Sequence, residues 1–287
     1  MNERRQRLLE ASSVLVKHLS SCPYVTSVVC FGSVAMSTDD ELSDIDLYVF
    51  CDPLVMPDRQ RRELLLGIPG VADLRLGTTS AGFENDWMAA QDKLYINELP
   101  CDLSYNTIAW MRRLVEHVLA HGTAPLAELP FRPDTMLGLL DTCIVLFDRN
   151  GELGNIKHQL WPYPQKLRMD IIHHGMCVLS EALEELRDYE KRGIGNTAFA
   201  FHLNRMSDAI CRSLYALNEC YDPAIKRVEQ SLQGLHKLPR DFMNRYTRLL
   251  SLPLDDPGRH RVIEEYESLY QDLLALCNSE KVSLPPS

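Results

Sequence analysis

Long apolar runs are missing from this 287-residue chain. No stretch approaches the roughly 20 consecutive apolar residues of a membrane-spanning helix. A signal-peptide core is missing too: after MNERRQRLLEASSVLVKHLSS begins with basic residues, polar and apolar positions alternate. The nine cysteines, at 22, 30, 51, 101, 143, 177, 211, 220 and 277, form no CxxC pair, which supports neither a zinc site nor a thioredoxin-like motif. An odd count without a secretion signal reads as reduced, mostly buried thiols in a cytoplasmic protein. No Walker A loop, GxSxG elbow or HExxH motif occurs, and no acid or cysteine completes a metal motif around His173-His174. Positive charge is scarce. Lys and Arg number 30 against 40 Asp and Glu, for a net charge of −10, and most of the deficit falls before residue 161. That argues against tracking a long nucleic-acid backbone, and leaves room for a small phosphate ligand that brings its own metal ions.

What is present is ordinary globular composition, 45% hydrophobic and 24% charged, in a chain long enough for about two domains. The front half reads as mixed α and β. A helix is expected over 3–19, strands over 25–31 and 45–50, a helix over 58–66 and a strand over 71–76. Shorter strands are expected at 94–96 and 101–105, around Pro100. Thr107 is placed to cap a helix to about His117, and CIVLF (143–147) reads as a late strand. The run Arg59-Gln60-Arg61-Arg62 reads as a solvated helix face. After Pro164 the strand patterns vanish. A long amphipathic helix carries Leu167, Ile172, Leu179 and Leu186, and a second, capped at Asn196 or Thr197, runs to Leu217. Shorter helices follow at about 225–232 and 240–250, then a last one at about 259–277. The expected architecture is an α/β (α+β) front domain with a mixed sheet, residues 1–160, followed by an all-α bundle, residues 161–287.

One constellation carries chemistry. Phe31-Gly32-Ser33 stands at the end of the first strand, and Asp44-Ile45-Asp46-Leu47 opens the next after ten intervening residues. On a strand, residues two apart share a face, so Asp44 and Asp46 project together while Ile45 and Leu47 turn into the core. Two carboxylates roughly 6–7 Å apart repel unless a cation sits between them. Hard Mg²⁺ suits carboxylate oxygens plus substrate phosphates. Gly32 permits close backbone approach, and Ser33 offers a hydroxyl and a turn N–H to a phosphate. Ser43 is either a cap for the turn or a phosphate contact. Asp39, Asp40 and Glu41 read as solvated loop residues.

These residues resemble the signature of the DNA polymerase β-like nucleotidyltransferase superfamily: Gly-Ser after a strand, Asp-x-Asp at this spacing, and a third acid on a later strand. The resemblance implies that third acid at Asp102, with Glu98 as its competitor. In the back half, ALNECYDPAIKRVEQSL (216–232), preceded by Trp161-Pro162-Tyr163-Pro164, resembles the helical domain of aminoglycoside and lincosamide adenylyltransferases and their uncharacterised relatives. A lysine from that domain reaches the triphosphate in the group, and Lys226 matches it, with Arg227 and Arg205 as weaker candidates. Tyr215 and Tyr221 either stack on a base or pack.

The resemblance implies in-line transfer of a nucleotide, AMP from ATP or another NTP, to a hydroxyl of a small molecule, with loss of pyrophosphate. Asp44, Asp46 and Asp102 would act as catalytic residues and metal ligands for two Mg²⁺ ions, and Gly32, Ser33, Ser43 and Lys226 would contact the nucleotide. An antibiotic acceptor would make this a resistance enzyme, and Glu181, Glu184 or Glu185 either hold a cationic acceptor or form the polar face of their helix. Modification of a protein or tRNA, as in toxin–antitoxin systems, and a non-catalytic nucleotide-binding role both stay open. No membrane partner and no long nucleic acid are expected. Relatives of this layout are often dimers, so a homodimer is compatible.

Overall fold

The computed structural model describes residues 3–77, 88–122, 135–222 and 228–282. The chain divides into two compact units, 1–120 with 124–162 and 121–123 with 163–287.

The first stretch runs α1 (Glu3–Leu19), β1 (Val25–Cys30), α2 (Gly32–Met36), β2 (Ile45–Cys51), α3 (Asp58–Leu66), β3 (Val71–Leu76), β4 (Ala90–Ile96), β5 (Leu99–Thr107), α4 (Ile108–His121), α5 (Thr135–Thr142), β6 (Ile144–Asp148) and α6 (Glu152–His158). Its six strands form one mixed sheet, ordered β3-β4-β5-β2-β1-β6, in which β2 and β5 run parallel and the other neighbours antiparallel. Alternation sorts the two faces. Ile45, Leu47, Val49 and Cys51 of β2 and Cys101, Leu103 and Tyr105 of β5 share a core with Leu8 and Leu15 of α1 and Leu65 of α3. The residues between them, among them Asp46 and Asp102, belong to the opposite face.

Several local expectations needed correction. The strand expected at 101–105 begins at Leu99 and runs through Pro100, at its second position, and its partner extends back to Ala90. Thr107 caps α4 as expected, its Oγ1 accepting from Trp110 N at 3.2 Å. The short helices α2, α5 and α6 are not among the expected elements. Arg61 is not on a solvated face. It is fully buried, donating to Asp92 Oδ1 and Asp58 Oδ1 at 2.6 Å each and to the Gly77 carbonyl at 3.0 Å, with its guanidinium over the Tyr105 ring. Asp92 is itself fully buried. Burial pushes its carboxyl above the usual range and Arg61 pulls it back.

The second unit is helical: α7 (Gln165–Arg192), α8 (Asn196–Leu217), α9 (Val228–Gln233), α10 (Phe242–Leu250) and α11 (Asp256–Ser279). Ile172, Leu179 and Leu186 of α7, Met206, Ile210 and Leu214 of α8, and Tyr266, Leu269 and Leu273 of α11 build its core. Gly175 lets α7 and α8 approach, since a Cβ there would strike Ser213 Oγ. Gly195, not Asn196 or Thr197, is the N-cap of α8, and Asn196 instead bonds Arg259. The last helix starts three residues before the expected Arg259, because Asp255 caps it by accepting from Gly258 N at 2.8 Å and Pro257 suits its first turn. Among the described residues no helix is long and apolar enough to cross a membrane.

Arg61→Met leaves the Asp92 carboxylate buried without its partner, and chemical denaturation should show a loss of about 3–5 kcal/mol. The double variant Arg61→Met/Asp92→Leu should recover most of that loss.

Candidate active site

Asp46 is the second residue of β2 and Asp102 the fourth of β5, and the parallel register sets them directly opposite one another. Both are half-buried, while their sequence neighbours Ile45, Leu47, Cys101 and Leu103 are at most 1% exposed. Asp44 immediately precedes β2. The tight start of α2 closes on this pair from β1. The Phe31 N–H donates to the Asp46 carbonyl at 3.0 Å, and Gly32 adopts a left-handed φ of +69°. A Cβ at Gly32 would overlap Asp46 Oδ2, so both the turn and the close approach require glycine there. Ser33 follows on α2.

The loop that delivers Asp44 is exposed at its tip but braced on either side of it. Arg5 Nη1 donates to Asp39 Oδ1 at 2.7 Å, and the Asp39 side chain is 4% exposed. Arg4 Nη2 donates to the Ser43 carbonyl at 2.8 Å. Asp40 folds the turn: its Oδ1 accepts from Leu42 N and Ser43 Oγ, each at 3.0 Å, and its N–H donates to Ser43 Oγ at 2.8 Å. The Ser43 hydroxyl therefore serves the turn; Asp40 and Glu41 are exposed as expected, and of the three loop acids Asp39 is the one that is not.

Strand register places the two acids near Pro100 differently. Glu98 sits with Asn97 in the two-residue turn between β4 and β5, both at positive φ, away from the Asp46 register. Asp102 is opposite Asp46 on one side and opposite Lys93 of β4 on the other. Its Oδ2 accepts from Lys93 Nζ at 2.8 Å and Gln91 Nε2 at 3.2 Å. The hydrogen bond to Asp102 raises the Lys93 ammonium above its usual pKa, and the charges of Asp102, Asp44 and Asp46 add to the shift. The buried Cys30 thiol is pushed to about 12, by burial first and by Asp46 next. Neither Lys93 nor Gln91 carries a motif in the sequence; only the strand register brings them to Asp102.

Other sequence candidates lie elsewhere. Lys226 and Arg227 are outside the described residues. Tyr215 and Tyr221 are buried: Tyr215 bonds Ser231 and Tyr221 packs on the Tyr163 ring, the packing alternative. Within the helical unit, Glu181, Glu184, Glu185 and Asp188 of α7 line a cavity of about 400 Å³ with His202 and Arg205 of α8. His202 is 8% exposed and its Nδ1 has no hydrogen-bond partner.

Residues 13–121 match the family model for the nucleotidyltransferase domain. The first unit carries a nucleotidyltransferase domain. Among solved structures, the chain is similar to a nucleotidyltransferase-like protein from Exiguobacterium sibiricum, at 14% identity over 95% of this chain and 77% of that one, with a TM-score of 0.47. No curated protein matches the chain.

Nucleotidyltransferases of this family generally use an NTP and a divalent metal. Among the described residues, no three His, Cys, Asp or Glu side chains gather closely enough to hold a metal ion by themselves. Mg²⁺ seldom asks for that: one or two carboxylates plus substrate phosphates suffice. Asp44 and Asp46 offer only hard oxygen donors, beside a position that Gly32 keeps clear of a Cβ. The residues thus fit an open cation site that a triphosphate would complete, not a closed protein cage.

Gly32 and Gly193 both have positive φ, but a Cβ at Gly193 meets nothing within 4 Å. Gly193→Ala should cost about 1 kcal/mol of backbone strain, and Gly32→Ala more than about 2 kcal/mol, because Asp46 must also move. Paired thermal-denaturation measurements check the difference.

Proposed function

We propose that this nucleotidyltransferase-domain protein moves a nucleoside monophosphate, AMP from ATP foremost, onto a hydroxyl of a small cationic molecule of the aminoglycoside or lincosamide kind. What carries the nucleotidyl-transfer part is the pairing of Asp46 with Asp102 across β2 and β5, beside the glycine turn of a nucleotidyltransferase domain. What favours a small cationic acceptor is the helical unit's cavity, with four carboxylates in its wall.

In this reading Asp44 and Asp46 hold the cation. Two Mg²⁺ ions, when bound, would neutralise the triphosphate and lower the pKa of the attacking hydroxyl. Gly32 leaves room for the β- and γ-phosphates, and Ser33 turns its hydroxyl and backbone N–H to them. The acceptor oxygen bonds to the α-phosphorus as the bond from that phosphorus to the β-bridging oxygen breaks. Pyrophosphate leaves with the electron pair of that bond. Asp102 takes the hydroxyl proton as general base, or completes the cation's ligands while the proton passes to water.

Pyrophosphate release from each of the four NTPs with Mg²⁺, with and without pooled aminoglycosides and lincosamides, tests the proposal. The expected result is acceptor-dependent release that falls at least about 100-fold in Asp46→Asn. Release that is indifferent to Asp46 contradicts it.

A further inference from the structure

The carboxylate assigned to the chemistry already has a cation. Lys93 Nζ lies 2.8 Å from Asp102 Oδ2, at the cross-strand position opposite it in the β4–β5 register. The lysine side chain is 59% exposed, so its ammonium is free to swing into solvent on a flexible stem, while Asp102 is 21% exposed and fixed in the sheet. Gln91, two residues earlier on the same strand, donates to the same oxygen and would hold Asp102 in place after the ammonium leaves. Lys93 also feels the charges of Asp44 and Asp46, so a single side chain answers the acidic face shared by all three residues.

We propose that Lys93 is a displaceable internal counter-ion, which pairs with Asp102 in the metal-free protein and competes with a divalent cation for that carboxylate. The inference rests on the nucleotidyl-transfer reading above and sets how much divalent cation the site demands. Lys93 here is a positioning residue that acts through Asp102. A lysine that only fastened β4 to β5 would affect folding stability and leave cation affinity alone. One that bound only the triphosphate would affect nucleotide binding and leave cation affinity alone.

Mn²⁺ binding to the full chain without nucleotide, followed by the electron paramagnetic resonance of free Mn²⁺, separates these roles. Wild type, Lys93→Met, Lys93→Gln, Lys93→Arg and Asp46→Asn would be compared. The expected result is binding about threefold to fivefold tighter in Lys93→Met and in Lys93→Gln, the gain set by one partly exposed ion pair. Lys93→Arg, which keeps the charge, should stay within about twofold of wild type. Asp46-dependent binding that neither neutral variant tightens overturns the counter-ion role and leaves the nucleotide site standing. Mn²⁺ binding that Asp46→Asn leaves intact in every background overturns the site itself, and the inference with it.

Discussion

The parallel pairing of β2 with β5 is the constraint on which the candidate site depends. Both flanking pairings, β1 with β2 and β4 with β5, are antiparallel and local in sequence. The parallel pair joins strands more than 50 residues apart, and its register alone puts Asp46 beside Asp102. A slip of one residue would turn Asp102 into the apolar core and Cys101 or Leu103 out of it. The alternation of buried Ile45, Leu47, Cys101 and Leu103 with half-buried acids thus fixes the register through the core and the site through the same register.

Around that pair, most neighbouring contacts serve to hold charge in place. Arg4 and Arg5 reach from α1 to the loop ahead of Asp44, Asp40 folds the same loop, and Gly32 brings α2 against Asp46. On the opposite face, buried Arg61 ties α3 to Asp92 of β4, one residue from Lys93. Alternation along β4 therefore gives one strand two ionic partners on two faces: a structural pair in the core and an exchangeable pair at the site.

Much of this was legible in the sequence wherever the signal is local. The bounds of α1, α3 and β3 follow from apolar periodicity and breakers, and the Gly-Ser and Asp-x-Asp spacing pointed to the domain that the family comparison bears out. What escaped is non-local. Glu98 and Asp102 are equivalent as single acids near Pro100, until the hairpin turn claims Glu98 and the β2 register claims Asp102. Arg61 looks like one more charge in a basic run, because its partner Asp92 lies 31 residues away. Asp39 looks solvated for the same reason, its partner Arg5 lying 34 residues back in the chain. The helices α2, α5 and α6, at five to eight residues, are too short to show a periodicity.

The proposed chemistry stands or falls on whether the Asp44 and Asp46 carboxylates hold a cation that a triphosphate completes. Crystals grown with Mn²⁺ and a non-hydrolysable NTP, measured at the manganese absorption edge, test it most directly. The expected result is an anomalous peak within coordination distance of Asp44 and Asp46, shared with the triphosphate, and the Lys93 ammonium withdrawn from Asp102. Nucleotide and manganese bound away from β2, with Lys93 still on Asp102, would contradict it.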